Sequence, residues 1–390
     1  LDKATSTVAI GNLIQFQDDG PSASIRVVSE ASVVLDESLG ADAGDGNAAS
    51  DDITLANPNP FSVGYGAPIG AVSGVDLVDT TTDVGSDDEG ASTAVTLAIV
   101  GGIDSGLRTT DGHVINLYVE VNGDVTGRDG AADGTVIFAV KIDADGKVSV
   151  AQYDSLKHGD APNNYDESLS LNGKLNAVVT VIDGDLDKAT STVAIGNLIQ
   201  FQDDGPTTSS NLTAQVDDDA LANGIPDGTG DDANAVNISG TLGFNFGADG
   251  AGNVQWLTTG APADFTYTMS GTSLLVNQGA TTVLTVTLNS ATGAYSVTQN
   301  APIQHATANQ ENNQVFTLNY QVTDKDGDTA NGTLAINVEP AHWLWNCWRT
   351  DAGASAVERS LEPCTMNHER PDNSDRNSSN RWRSAVKSPP

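Results

Sequence analysis

Seventeen Lys and Arg side chains face 52 Asp and Glu across 390 residues, giving a formal charge of −35, and only 5% of the residues are aromatic. So acidic a chain excludes nucleic acid and anionic membranes as partners. Its longest strongly apolar stretch, Ala94 to Ile103, reaches about half the roughly 20 residues a bilayer span needs, which excludes membrane insertion. The chain starts at Leu1 with no basic, apolar leader and reads as a piece of something longer.

In chain order, the first signal is repetition. Residues 1 to 21, LDKATSTVAIGNLIQFQDDGP, recur unchanged at 186 to 206. Fixed-offset identity of this kind marks an array of units and places their boundaries. The layout expected is the end of a preceding repeat at 1–21, a long unit at 22–206, a shorter one at 207–340 and a tail at 341–390. The openings correspond, VLDESLGADAGDG (Val34 to Gly46) with QVDDDALANGIPDGTGDD (Gln215 to Asp232), as do GKVSVAQYDSLKH (Gly146 to His158) and GAYSVTQNAPIQH (Gly293 to His305).

Strands with period two are predicted at 113–121, 135–142, 147–153, 282–288, 315–322 and 332–338, each rich in β-branched residues and bounded by Gly, Asn or Asp. Asp145-Gly146 predicts a tight hairpin between the second and third of these, since glycine supplies the positive φ. No window of the body holds a 3.6-residue period. The fold class predicted is therefore all-β, a tandem array of antiparallel β-sandwiches.

Each unit carries a V-x-D-x-D-x-D stretch. The first holds Asp183, Asp185 and Asp187, and the second holds Asp324, Asp326 and Asp328. Three carboxylates in five residues repel one another unless a hard cation accepts their oxygens, and Ca²⁺ suits such a loop better than Mg²⁺, which demands a tighter octahedron. The competing reading is a solvated acidic turn. Repetition favours the metal, and Asp18-Asp19, Asp203-Asp204 and the Asp217-Asp218-Asp219 opening extend the acidic groups to the unit boundaries. The candidate calcium ligands are thus Asp183, Asp185, Asp187, Asp203, Asp204, Asp217, Asp218, Asp324, Asp326 and Asp328, with the ions expected to tie one unit to the next. The first 340 residues contain no Cys, so metal would replace disulfides as the staple.

The segment Ser105 to Pro206, with SGLRTTDGHVINLYVE, VSVAQYDSLKH and VIDGDLDKATSTVAIGNLIQFQDDGP, and VVLDES as its opening, resembles the repeat domain of type I secretion targets, the giant RTX-type adhesins of Gram-negative bacteria. The second unit resembles a related immunoglobulin- or cadherin-like extender. The resemblance implies secretion, calcium-rigidified sandwiches and a spacer role on the cell surface in attachment and biofilm formation. Other domains would contact the host or abiotic surface. The family's glycine-rich nonapeptide calcium roll does not occur in this sequence.

No nucleophile elbow, HExxH, P-loop or dinucleotide fingerprint is present, and no enzyme is expected. His158 and His305 share a register position that suggests hydrogen bonding, and Asp166-Glu167 reads as a polar loop. Trp256 poses a choice between core packing and a sugar-binding face; the second is the alternative function, a polysaccharide-binding module. The tail departs abruptly in composition, with Cys347, Cys364 and four of the five Trp. It reads as disordered, either a foreign reading frame or a native terminus.

Overall fold

The computed structural model describes residues 2–37, 59–61, 64–159, 167–222, 236–304 and 313–339. The tail at 341–390, His305 and Asp166 lie outside the described residues. Among the described residues every regular element is a strand or a single turn of 3-10 helix. No described helix is long and apolar enough to cross a membrane.

Two hydrophobic cores divide the strands. The first runs from Ile25 to Phe201. Its largest sheet lines up Gly70–Asp76, Lys147–Gln152, Val136–Ile142, Val125–Asp129, Val114–Val119 and Asp104–Arg108 as antiparallel neighbours. Packed on it is the three-stranded sheet of Lys188–Ala194, Leu175–Ile182 and Ser92–Ile99. The run LNAVVTVI places Leu175, Ala177, Val179 and Val181 inward at every second position, as the pleat requires of a strand with one dry face. Lys147–Gln152 departs from that pattern, with all but its first residue buried. A small cluster of Phe61, Ala71, Ala139 and Ala151, with Tyr65 and Tyr153 against it, covers that sheet's second face.

The second core, from Ala214 to Val338, lies between a four-stranded and a five-stranded sheet. The four are Ala214–Asp217, Thr329–Glu339, Gln314–Asp324 and Ala251–Trp256. The five are Asn237–Thr241, Ala294–Gln299, Thr281–Leu288, Ser273–Gln278 and Phe265–Ser270. All six predicted strands are present. The Asp145-Gly146 turn also forms, with Gly146 at φ +84°, but Asp143 N donates to the Lys147 carbonyl at 3.0 Å, so that pair encloses three residues, Ala144 to Gly146, rather than two.

Among the described residues, pairing is antiparallel with two exceptions in corresponding places. Val33–Asp36 runs parallel to Ile199–Gln202, and Ala214–Asp217 runs parallel to Thr329–Glu339. A strand near the start of each unit, the second in order, thus lies beside that unit's last strand and points the same way. A chain built so begins each unit at one end and leaves it at the other, which lets units follow end to end.

Trp256 is 3% exposed and stands edge-on to Tyr320, with ring centroids 6.2 Å apart. It is a core residue and offers no sugar platform. Replacing it, Trp256→Ala, is expected to cost about 3–5 kcal/mol in urea unfolding; a cost under about 1 kcal/mol would show that the ring supports little of this core.

Candidate metal centre

Each aspartate ladder is the loop of a hairpin. In the second unit Asp324 ends one strand and Thr329 begins the next. Asp324 Oδ1 accepts from Gly327 N at 3.0 Å and Asp328 N at 2.8 Å, while Asp324 N donates to the Asp328 carbonyl at 3.1 Å. Gly327, at φ +126°, allows this close winding. The first unit repeats the wiring: Asp183 Oδ1 accepts from Asp187 N at 2.8 Å, and Asp183 N donates to the Asp187 carbonyl at 3.1 Å. Loop closure therefore uses one oxygen of the leading aspartate and leaves Asp183 Oδ2 and Asp324 Oδ2 buried without hydrogen-bond partners.

The second ladder sits where the two cores meet. Carboxylate oxygens of Asp324, Asp326 and Asp328 lie within 4.8 Å of one another, and so do those of Asp203, Asp249 and Asp326. Asp203 comes from the end of the first unit, immediately after the Ile199–Gln202 strand, and the others come from the second. All five are buried, Asp203 completely. Further contacts cross the junction: His158 N donates to Asp326 Oδ2 at 3.2 Å in a buried position, and the more exposed Lys325 Nζ pairs with Asp111 Oδ1 at 2.7 Å. Lys157 Nζ reaches the Asp326 carbonyl at 3.3 Å.

The electrostatics follow from this burial. Loss of water, reinforced by Asp326, Asp203, Asp324 and Asp204, pushes Asp249 up to about 9. Desolvation drives Asp203 up to about 8, with Asp326 and Asp324 adding to it. Asp324 and Asp328 are likewise raised to about 8, burial being the largest cause in each. Asp203 Oδ2, Asp326 Oδ1 and both oxygens of Asp249 and Asp328 are buried without hydrogen-bond partners. An ionised carboxylate can only accept, and such groups in a dry site need positive charge. Ca²⁺, which takes six to eight oxygens and tolerates irregular geometry, fits this donor set.

The first ladder shows the same arrangement opened to solvent. Oxygens of Asp18, Asp185 and Asp187 lie within 4.8 Å of one another, all exposed. Asp18 belongs to the copy of the sequence that supplies Asp203 in the second centre. Asp19 Oδ2 accepts from Ser86 N at 3.1 Å, just as Asp204 Oδ2 accepts from Ala248 N. Gly247, at φ +80°, passes so near that a Cβ would strike the Asp204 carboxylate, and Gly85, at φ +75°, sits likewise against Asp19. Asp87, which follows Ser86, holds the position of Asp249. Desolvation raises it first, then the charges of Asp185, Asp18 and Asp183.

Of the ten residues expected as ligands, the structure brings Asp203, Asp324, Asp326 and Asp328 into one group and Asp185 and Asp187 into another with Asp18, with Asp183 and Asp204 adjoining. Asp217 and Asp218 join neither among the described residues. Asp218 instead accepts from Gln299 Nε2 and from Ile303 N at 3.0 Å. Glu37, its counterpart, accepts from Gln152 Nε2 and from Leu156 N at 2.8 Å. The sequence reading missed Asp249, Asp87 and Glu37. Matching VGSDDEG (Val84 to Gly90) to FGADGAG (Phe246 to Gly252) would have found the first two.

These features define a class, the all-β repeat module with acidic groups at its ends. A family model described as Domain of unknown function (DUF5801) matches residues 32–196 and again 213–337, and the chain belongs to that family. No curated protein matches. Among solved structures the chain is similar to Protocadherin Gamma B2 extracellular cadherin domains 3–6 (9% identity, TM-score 0.22, covering 70% of this chain and 56% of that one). It is also similar to Drosophila N-cadherin EC1–4 (10% identity, TM-score 0.22, covering 83% and 50%). The chain thus spans about half the length of these structures. At such scores the sandwich assignment rests on the chain's own sheets.

Proposed function

We propose that the chain is a run of calcium-stabilised structural spacer repeats, with units at 22–206 and 207–340, from a secreted adhesin on the surface of a Gram-negative bacterium, serving attachment and biofilm formation. The observation that carries this reading is the buried carboxylate group of Asp203, Asp249, Asp324, Asp326 and Asp328, drawn from both units. Oxygens from two bodies that share a cation lose their freedom to hinge. The partners on this reading are neighbouring repeats of the same chain, while adhesion to host or abiotic surfaces belongs to other domains. A spacer has no catalytic task, and this one inserts in no membrane.

Small-angle scattering of the full chain in 2 mM (roughly twice the ~1 mM typical of weak extracellular sites) Ca²⁺ and then in EDTA tests the proposal. The expected result is a narrow distribution of inter-unit distances with calcium that broadens on chelation, and identical profiles would overturn it. The polysaccharide-binding alternative predicts retention on a glycan array. With Trp256 buried, a blank array is expected.

A further inference from the structure

The oxygen-rich centre has a neighbour of different chemistry on the first unit's side. Ligand atoms of Glu37, His158 and Asp203 lie within 4.8 Å of one another, and none of the three residues is more than 4% exposed. His158 Nε2 faces the Phe201 carbonyl at 3.3 Å. If the ring proton sits there, the Nδ1 lone pair points at the Leu156 carbonyl, 3.2 Å away, and at Asp203 Oδ1, 3.0 Å away. Electron-rich atoms so placed repel one another unless a positive charge lies between them. Glu37 Oε1 is committed to Gln152 Nε2 and Leu156 N, and Asp203 Oδ1 also accepts from Asp204 N at 3.0 Å. Glu37 Oε2 and Asp203 Oδ2 remain buried without hydrogen-bond partners. A proton on Nδ1 would serve Asp203 Oδ1 and leave Glu37 Oε2 unserved.

One imidazole nitrogen with two carboxylates is a poor set for Ca²⁺, which prefers oxygen throughout, and a good one for a borderline d-block cation. The carbonyl behind Nε2 is the usual outer partner that fixes the tautomer of a ligating histidine. We propose that Glu37, His158 and Asp203 form a binding site for a transition-metal ion of the Zn²⁺ class, separate from the all-oxygen group and sharing only Asp203 with it. Among the described residues, which do not include His305, the second unit offers no matching trio. Asp218 stands where Glu37 does, and Asp217 pairs with Glu339 as Asp36 pairs with Gln202, but the residue after Glu339 is Pro340 rather than an aspartate. One such site among the described residues follows. The proposal rests on the calcium reading only through Asp203.

The test uses the full chain, stripped of metal, held in excess Ca²⁺ and titrated with Co²⁺ as a spectroscopic probe and then with Zn²⁺. A visible cobalt band from one equivalent is expected, bleached by Zn²⁺, with a Kd below about 10 µM for a three-ligand site of this type. His158→Gln and Glu37→Gln should each weaken Zn²⁺ at least tenfold while leaving the calcium isotherm within twofold. Cys347 and Cys364 are the same in wild type and variants, so the difference spectrum excludes them. Asp326→Asn should do the reverse, weakening calcium and sparing Zn²⁺. If His158→Gln fails to fold, as its thermal melt would show, Glu37→Gln and Asp326→Asn still separate the two sites. The idea is overturned if wild type and His158→Gln take up Zn²⁺ alike, or if Ca²⁺ expels cobalt stoichiometrically. Zinc binding without any calcium binding would sink the calcium reading and leave this one standing.

Discussion

Stripping divalent metal from the full chain at pH 7.4 should lower its melting midpoint by about 5 °C or more, and re-adding Ca²⁺ should restore it. An ion present at ten times its Kd contributes about 1.4 kcal/mol by mass action, and a domain of 150–250 residues shifts by about 2–4 °C per kcal/mol. One ion therefore moves the midpoint by about 3–6 °C, and a second would roughly double that. The repulsion that returns on removal acts in the same direction. Neither nearby lysine can substitute for the ion, because Lys325 is engaged with Asp111 and Lys157 with the Asp326 carbonyl. Asp326→Asn, which takes one charge from both ligand groups containing that residue, should halve the chelator effect or better. Calorimetry decides it: a midpoint unmoved by EDTA would mean the carboxylates are tolerated bare, and the metal reading would be abandoned.

What could be read in advance was whatever a local pattern encodes. Period-two runs gave the strands because burial on one face imposes alternation on each strand alone, as in Leu175–Ile182. The ladders were legible because their three aspartates fall within five residues. The parallel pairing of Val33–Asp36 with Ile199–Gln202 was not, since alternation looks the same whichever way a neighbour runs. Asp249 was hidden for a related reason: a single aspartate in a glycine-rich turn stands out only once that turn is matched to its counterpart at Val84 to Gly90, and its place against a ladder about 75 residues further along is set by the fold. Glu37 was passed over in favour of the corresponding acidic cluster of the second unit, Asp217-Asp218, although its true mark was the glutamine it grips, Gln152, matched by Gln299 in the second unit. Sequence periodicity reports each strand's own burial, whereas a ligand set assembled from two units depends on register between them.

The second large effect concerns pH. Without metal, Asp249 is pushed up to about 9, and Asp203, Asp324 and Asp328 up to about 8. In the unfolded chain the same carboxyls titrate near 4. Between those limits the folded chain holds protons that the unfolded chain has released, so the stability these protons confer is complete below about pH 4 and is lost as pH climbs through 8 to 9. The metal-free midpoint should therefore fall by about 10 °C or more from pH 5 to pH 9. With saturating Ca²⁺ the trend should flatten or reverse, because metal binding requires the ionised form and strengthens as protons leave. Asp249→Asn separates the two regimes by sign. An amide of the same shape has no charge to desolvate, so the variant should melt higher than wild type in EDTA at pH 9. It also lacks an anionic ligand, so it should melt lower than wild type in Ca²⁺ and bind calcium about tenfold more weakly. A purely structural aspartate, held by hydrogen bonds alone, would lose stability in both conditions. If Asp249→Asn melts lower than wild type in EDTA at pH 9, the burial of uncompensated charge described here is wrong.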